Sequence, residues 1–530
     1  MAGWLAAGAC AAVAGPLEAQ RADAGAVPAD TGAAVTRPAG GEQVPSALSG
    51  AGIGHRGASP LVPAEHWAVR AARRAEALGL APGYLPAQTA VPRHTVATAL
   101  EAAAAHAAGT RYQALAAGWL VRFREEFREY SAGREAAGMA LLGGRAQAGY
   151  EGESGRVTPV ISYGPWRIES QPVEERSEAR ARVEGAVRLG GRAALFAHGR
   201  ADRESAAMAR WEGVAAAGPY SLSIGRQPVG YGPGVGGAVV LFPNTSFNRL
   251  EAQTIRPVRL PSVLRYLGPV SLHTFASRMD EPARHPEEAW MWGARVAAQP
   301  HPRLTLGINR ASIFGNEGEP ITPERVLRMA AGVIRGSNFE NQILSFDGRL
   351  RLPTERWLPA TLYVETGADD GAGALDEVPG TVAGVFFPAL PALPGVAGGA
   401  EYARFAESVL GHGPWYFNSS QRGNWARRSW PLGHPLGGEG REVSGYAQAE
   451  LLNGRLRVDG RGFVRTRSAA SLEAFGGANL FAPVRVGRSR GGALTASMRL
   501  RGVDLTGSWY RDAGDGWREQ RLQAGVAAFF

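Results

Sequence analysis

Apolar positions recur every three to four residues through one early part of the chain and every second residue through most of the remainder. "PAEHWAVRAARRAEALGL" puts Trp67, Ala71, Ala75 and Leu78 on one helical stripe, with Pro63 suited to the first turn and Gly79 and Pro82 to stop it. "PRHTVATALEAAAAHAAG" repeats that grammar with Val96, Leu100, Ala103 and Ala107 between Pro92 and Gly109. "RYQALAAGWLVRFREEFREY" aligns Tyr112, Leu115, Trp119, Phe123, Phe127 and Tyr130. Three amphipathic helices predict a small bundle over residues 61–132, with the aromatic stripes as its core.

From residue 143 to the end the helical period gives way to short alternating segments with turn residues between them. "EARARVEGAVRL" (178–189), "PYSLSIGRQ" (219–227), "RLTLGINRAS" (303–312) and "SGYAQAELL" (444–452) each put apolar residues on one parity and small or charged ones on the other. The stretch holds no strong helix, and a soluble sheet of this size does not stay open without helices to cover it. The last segment, "RLQAGVAAFF", alternates Leu522, Ala524, Val526, Ala528 and Phe530 against Gln523, Gly525, Ala527 and Phe529, and ends on an aromatic. Lipid offers no hydrogen bonds, so a sheet that crosses it must close on itself. The pattern therefore predicts an all-β transmembrane barrel over 143–530, with sixteen to twenty antiparallel strands at about twenty residues per strand and turn.

The N-terminus and the composition fit an exported protein. "WLAAGACAAVAG" is an apolar run too short to span a bilayer, and with "PLEAQ" after it residues 1–19 read as a signal peptide, despite the missing positive charge at its start. Residues 20–60, rich in Ala, Gly and Pro, read as a flexible linker. The single cysteine, Cys10, falls in the signal segment, so the mature chain would form no disulfide or thiolate metal site. Glycine reaches 72 of 530 residues without a collagen period, as many turns or a tightly curved sheet require. The net charge is +9, and all 57 basic residues are arginine, spread along the chain among 48 acids. That spread argues against nucleic acid, which selects a basic face or run. It leaves a coding bias, or forks that grip the carboxylates of an anionic glycan or lipid.

"GRQPVGYGPGVGG" contains Gly232, Gly234 and Gly237 in the G-x-G-x-x-G spacing of a dinucleotide loop. A strand precedes it, but the segment after Gly237, broken by Pro243, is not the helix such a loop needs to face phosphates. These glycines are read as a turn or a tight inward fold, and no cofactor is expected. The wider stretch "SLSIGRQPVGYGPGVGGAVVLFPNTSF" resembles the Wzi family of capsule assembly proteins, where a strand ending I-G-R-Q leads into a W-G-P-G-like turn; here the turn is Tyr231, Gly232, Pro233 and Gly234. "WGARVAAQPHPRLTLGINRASIFG", with Arg295 and Arg310, "NQILSFDGRLRLP", with Asp347, "LYVETGADD", with Glu365, and "PLGHPLGG" resemble further segments of that family in the same order. Over about residues 60–530 the resemblance implies an eighteen-stranded outer-membrane β-barrel plugged by periplasmic helices. It also implies a lectin that helps anchor or organise capsular polysaccharide.

Two groups of residues are singled out. "HGPWYFNSSQRGNWARRSWPLGHPLGGEGR" interleaves Trp415, Tyr416, Trp425 and Trp430 with Arg422, Arg427 and Arg428; rings that stack on sugars and forks that hold acidic sugars make this the candidate glycan loop, against a reading of the rings as interfacial girdle. Arg226, Arg295 and Arg310 lie in strands. An arginine facing lipid would cost about 2–4 kcal/mol at mid-bilayer, so all three are expected in the lumen, paired with acids such as Glu365, Asp369 or Asp370. The sequence shows no G-x-S-x-G, H-E-x-x-H or P-loop, and its ten histidines are scattered. The expected function is thus a non-enzymatic, monomeric, outer-membrane binder of anionic capsular or exopolysaccharide. A porin-like diffusion channel and an outer-membrane barrel hydrolase are the alternatives.

Overall fold

The computed structural model describes residues 58–127, 139–154, 176–190, 192–201, 206–243, 246–279, 289–315, 319–332, 339–369, 379–405, 415–416, 425–427, 430–468 and 487–529. The expected signal peptide, nearly all of the linker, Arg422, Arg428, Asp370 and Phe530 lie outside them.

Three helices, α1 (Trp67–Ala77), α2 (Arg93–His106) and α3 (Gln113–Glu126), pack around one apolar core. Trp67, Ala71, Ala75 and Leu78 are buried on α1, and Val96, Leu100, Ala103 and Ala107 on or just after α2. Helix α1 starts later than Pro63: His66 caps it, its Nδ1 accepting the Ala68 N–H at 3.2 Å. Pro92 precedes α2 directly, where its missing N–H costs nothing.

Eighteen long strands form the barrel: β1 (Met139–Ser154), β2 (Arg176–Leu189), β3 (Ala193–Ala201), β4 (Ala206–Ala217), β5 (Tyr220–Pro228), β6 (Ser246–Thr254), β7 (Pro269–Arg278), β8 (Trp290–His301), β9 (Leu304–Phe314), β10 (Glu340–Arg351), β11 (Thr361–Asp369), β12 (Gly380–Phe387), β13 (Val396–Phe405), β14 (Gly440–Leu451), β15 (Leu456–Arg467), β16 (Gly487–Leu500), β17 (Val503–Gly514) and β18 (Trp517–Phe529). Each pairs antiparallel with its neighbour, a two-residue strand at Val258–Arg259 extends the pairing between β6 and β7, and β18 returns to β1 to close the sheet. The faces are inverted relative to a soluble sheet. On β5 Leu222 and Ile224 are exposed while Ser221 and Ser223 are buried; on β15 Val464 is exposed while Arg461 and Arg465 are buried. Apolar residues outside and polar residues inside define a barrel in lipid.

The two ends differ. At one end tight turns such as Gly218–Pro219 and Arg501–Gly502 join the strands, and both β1 and β18 have an end there. The longer connections, among them those after Pro228 and Phe405, leave the strands at the other. The helical bundle docks at the short-turn end. Arg70 forks onto Asp459 of β15 at 2.8 and 3.0 Å, and the Trp119 indole N–H donates to Glu450 of β14 at 2.5 Å. Arg499 of β16 reaches Glu126 of α3 at 3.3 Å, and Arg349 of β10 pairs with Glu76 of α1. These bridges lie in partly buried surroundings, where charge-assisted forks are stronger than on an open surface.

Two short elements depart from the helix-free expectation for the barrel region, a 3-10 turn at Ser262–Leu267 before β7 and an α-helix. Helix α4 (Pro323–Ala330) lies in the connection between β9 and β10, with Pro323 in its first turn and the Thr322 hydroxyl accepting the Arg325 N–H at 3.3 Å. Its Met329 packs with Phe314 and Phe339, beside Trp292.

Candidate functional site

An eighteen-stranded cylinder leaves a lumen that strand side chains alone do not fill. Here the connection between β5 and β6 folds into it. Tyr231, Val239, Val240 and Leu241 from that loop join Phe247, Phe275, Met291, Ile313, Ile343, Val382 and Phe405 from the strands in one buried cluster. The G-x-G-x-x-G stretch forms the loop's turn, and its exposed amides do bind carboxylates, those of the barrel itself. The N–H groups of Val235 and Gly236 each donate to Glu401 of β13 at 2.7 Å, and the Val239 N–H donates to Glu365 of β11 at 3.1 Å. Tyr363 Oη donates to Glu401 at 2.9 Å and Ser345 Oγ to Glu365 at 2.7 Å, so both buried carboxylates are well satisfied. All three of the glycines are required, Gly234 because a Cβ there would collide with the Gly237 carbonyl. Gly232 has a φ of 76° and a Cβ there would meet Glu365; a Cβ on Gly237 would strike the His434 ring.

A second segment closes over the first. Tyr416 Oη donates to the Val239 carbonyl at 2.8 Å and the Trp425 indole N–H to the Val240 carbonyl at 2.7 Å. The Tyr416 N–H is held by Asp369 at 2.5 Å, and the Phe242 N–H by the Leu432 carbonyl at 2.6 Å. Phe405, Trp415 and Tyr416 pack edge-on or tilted against one another at centroid distances of 5.3 to 5.9 Å. His434 sits in this shell with Nδ1 accepting the Leu436 N–H at 3.1 Å. Burial pushes its imidazole down to about 3; Glu442 opposes this while Arg461, Arg465 and Arg467 add to it, so the ring is neutral at physiological pH.

The candidate glycan loop is therefore divided. Trp415, Tyr416, Trp425 and Arg427 are buried, the last with its guanidinium 5.1 Å from the Phe247 ring centre. They hold the plug and present no open ring face. Trp430 lies in a two-residue strand that pairs with Ala426–Arg427, and Arg422 and Arg428 are outside the described residues.

The strand residues divide too. Arg295 faces the lumen and forks onto Asp347 at 2.5 and 3.2 Å, with the Asn309 amide donating to the same carboxylate at 2.8 Å. Glu365 and Asp369 also point inward. Arg226 and Arg310 do not, contrary to expectation. Arg226 shares a parity with exposed Leu222 and Ile224, and Arg310 with exposed Leu306 and Ile308. Both lie near the loop end of their strands, where an outward charge costs only about 0–1 kcal/mol rather than the mid-bilayer penalty. Arg310 is also covered by α4, donating to the Ala330 carbonyl at 3.3 Å and to Gln342.

Between plug and bundle remains a cavity of about 160 Å³, lined by Arg73, Arg295, Arg349, Tyr231, Tyr363 and Tyr446 among others. Neither this cavity nor the plug residues were legible as a unit in the sequence, since their parts are far apart along it. Among the described residues no group of three His, Cys, Asp or Glu could hold a metal ion, and no helix is long and apolar enough to cross a membrane.

Closed, polar inside, apolar outside and plugged, the fold is that of an outer-membrane β-barrel with an occluded lumen. The family model of capsule assembly protein Wzi matches residues 158–457, more than half of the chain. The chain belongs to that family. Its fold is similar to that of Wzi from Escherichia coli, at a TM-score of 0.68 and 18% identity over 88% of this chain and 99% of that one. The Escherichia coli protein is an outer-membrane, carbohydrate-binding β-barrel involved in group 1 capsule assembly. A weaker likeness joins the chain to OpdO of Pseudomonas aeruginosa, at a TM-score of 0.45 and 10% identity over 75% of this chain and 98% of that one. No curated protein matches the sequence.

Proposed function

We propose that this outer-membrane protein binds an anionic capsular or exopolysaccharide at its loop end and keeps the polymer attached to the cell surface, as a monomer and without catalysing a reaction. The observation that carries the reading is the filled lumen in a member of a capsule assembly family. Two chain segments pack into the barrel with their backbone amides engaged by Glu365, Glu401 and Asp369. A barrel so filled is suited to presenting a surface rather than conducting solutes. The bundle at the short-turn end faces the periplasm, since outer-membrane barrels keep short turns on that side and longer loops outside.

Within the loop, Arg422, Arg428 and Trp430 are the proposed polymer contacts. Trp415, Tyr416, Trp425 and Arg427 serve them indirectly, by fixing the base of that loop against the plug. Deleting the gene tests the proposal. Cell-bound polysaccharide should fall and polysaccharide in the medium rise, with the total unchanged. Unaltered attachment would refute it.

A further inference from the structure

The outer face of the barrel carries its charge at one end and with one sign. Among the described residues of the eighteen long strands whose side chains point outward, Glu340 is the sole carboxylate and every other charged residue is an arginine. All of them lie at the loop end. At the short-turn end the corresponding outward positions are apolar, as with Leu451, Leu500 and Leu505.

The arginines are densest from β13 to β18. Arg404 of β13 stands directly opposite Arg441 of β14; Arg441 is opposite Thr466 of β15, and Thr466 opposite Arg488 of β16, so these four residues form a row across the sheet. The next outward row runs Tyr402, Val443, Val464, Arg490, Ala513 and Arg518. Arg511 follows one row deeper, opposite Gly492. All six arginines are exposed. Among the described residues none of them forms an ion pair, and the Arg518 guanidinium donates only to Gln520, at 2.8 Å. The exposed carboxylate nearby along the chain, Asp515, belongs to the β17–β18 turn and not to the outward strand face.

Two arginines facing each other across a ladder repel and weaken the pairing, so an anion bound between them would relieve the repulsion and stabilise the wall. Its position says what kind. Exposed Tyr402, Val443 and Val464 lie one row below Arg404, Arg441 and Thr466, and exposed Leu494, Trp509 and Leu522 lie deeper still, in the apolar band. A ligand on this patch has its anionic groups at the rim and its apolar part against that band.

We infer that the outer wall of β13 to β18 binds an outer-leaflet lipid whose head group carries phosphate. Guanidinium forks from Arg404, Arg441, Arg488 and Arg490 hold the phosphate oxygens, and the acyl chains lie along Val443, Val464 and Leu494. The polysaccharide reading plays no part in this assignment.

The test uses the purified full-length protein in detergent, titrated with a bis-phosphorylated lipid A and monitored by native mass spectrometry. The dephosphorylated lipid, inorganic phosphate and an acidic polysaccharide (polygalacturonate) are run in parallel. The lipid should bind at least tenfold more tightly than its dephosphorylated form or free phosphate, and less tightly as salt rises. The R404Q/R441Q/R488Q/R490Q variant should lose at least tenfold in lipid affinity while keeping its heat-shifted migration on a gel. Should that variant fail to fold, R404Q/R441Q replaces it, with a smaller loss expected. Equal binding of the dephosphorylated lipid or of phosphate, undiminished binding by a folded variant, or loss of polygalacturonate binding with lipid binding intact would each overturn the assignment.

Discussion

Replacing Gly237 by valine should turn a closed barrel into a conducting one. The wild-type protein in a planar bilayer is expected to pass almost no current, because the 229–243 and 430–439 segments, with Tyr416 and Trp425, fill the lumen. The two segments meet where Gly237 lies against the His434 ring, with no room for a side chain. A valine there must displace His434 or the glycine-rich turn. Either movement strains the links of Tyr416 to Val239 and of Trp425 to Val240. With those links open, a barrel of this size leaves an aqueous channel, and current should rise by about tenfold or more. Gly507→Ala is the control, since Gly507 faces outward and a Cβ there would have nothing within 4 Å, and it should stay silent. A silent G237V protein with its heat-shifted migration intact would contradict this account of the plug.

Asp347→Ala should be the most damaging single change in the barrel wall. Asp347 is the carboxylate that holds both the Arg295 fork and the Asn309 amide, in surroundings closed to solvent. Removing it takes from a buried guanidinium the carboxylate it forks onto, a change that costs about 3–5 kcal/mol, whereas apolar replacement of both members of such a pair is often neutral. The expected result is a marked fall in the unfolding temperature of D347A, seen as a lower temperature for the gel shift, with recovery of most of the loss in R295M/D347L. An unchanged transition for D347A would mean that the pair does not support the fold.

Much of this architecture was legible in the sequence because each level of it leaves a local period. Alternation in "RLQAGVAAFF" follows from a sheet with lipid on one side: Leu522, Ala524, Val526 and Ala528 do face outward and Gln523 is buried. The stripes of α1 and α2 are legible for the same reason. The inward assignment of Arg226 and Arg310 failed because it weighed the penalty of charge in lipid without reading parity or depth. Ile224 and Ile308, two residues before them, share their face, and both arginines lie near the rim where the penalty fades. Arg295, flanked by Ala294 and Val296, faces the lumen on the same rule. Helix α4 also had its signal, a Thr322 cap followed by Pro323.

The plug was harder to read. A long aromatic segment without alternation has the same local pattern whether it lies on the surface or inserts into a pore. The deciding quantity is the volume inside the cylinder, a property of all eighteen strands together. The glycine-rich stretch reads in the sequence as a turn or a tight inward fold, and it folds inward, although its partners Glu365 and Glu401 stand more than a hundred residues away. No local spacing could have supplied them.

The most direct measurement is the binding of the cell's own anionic surface polysaccharide to the purified protein in lipid nanodiscs. The expected result is saturable binding that empty nanodiscs lack and that falls when Arg422 and Arg428 are both changed to glutamine. Binding no greater than that of empty nanodiscs would contradict it.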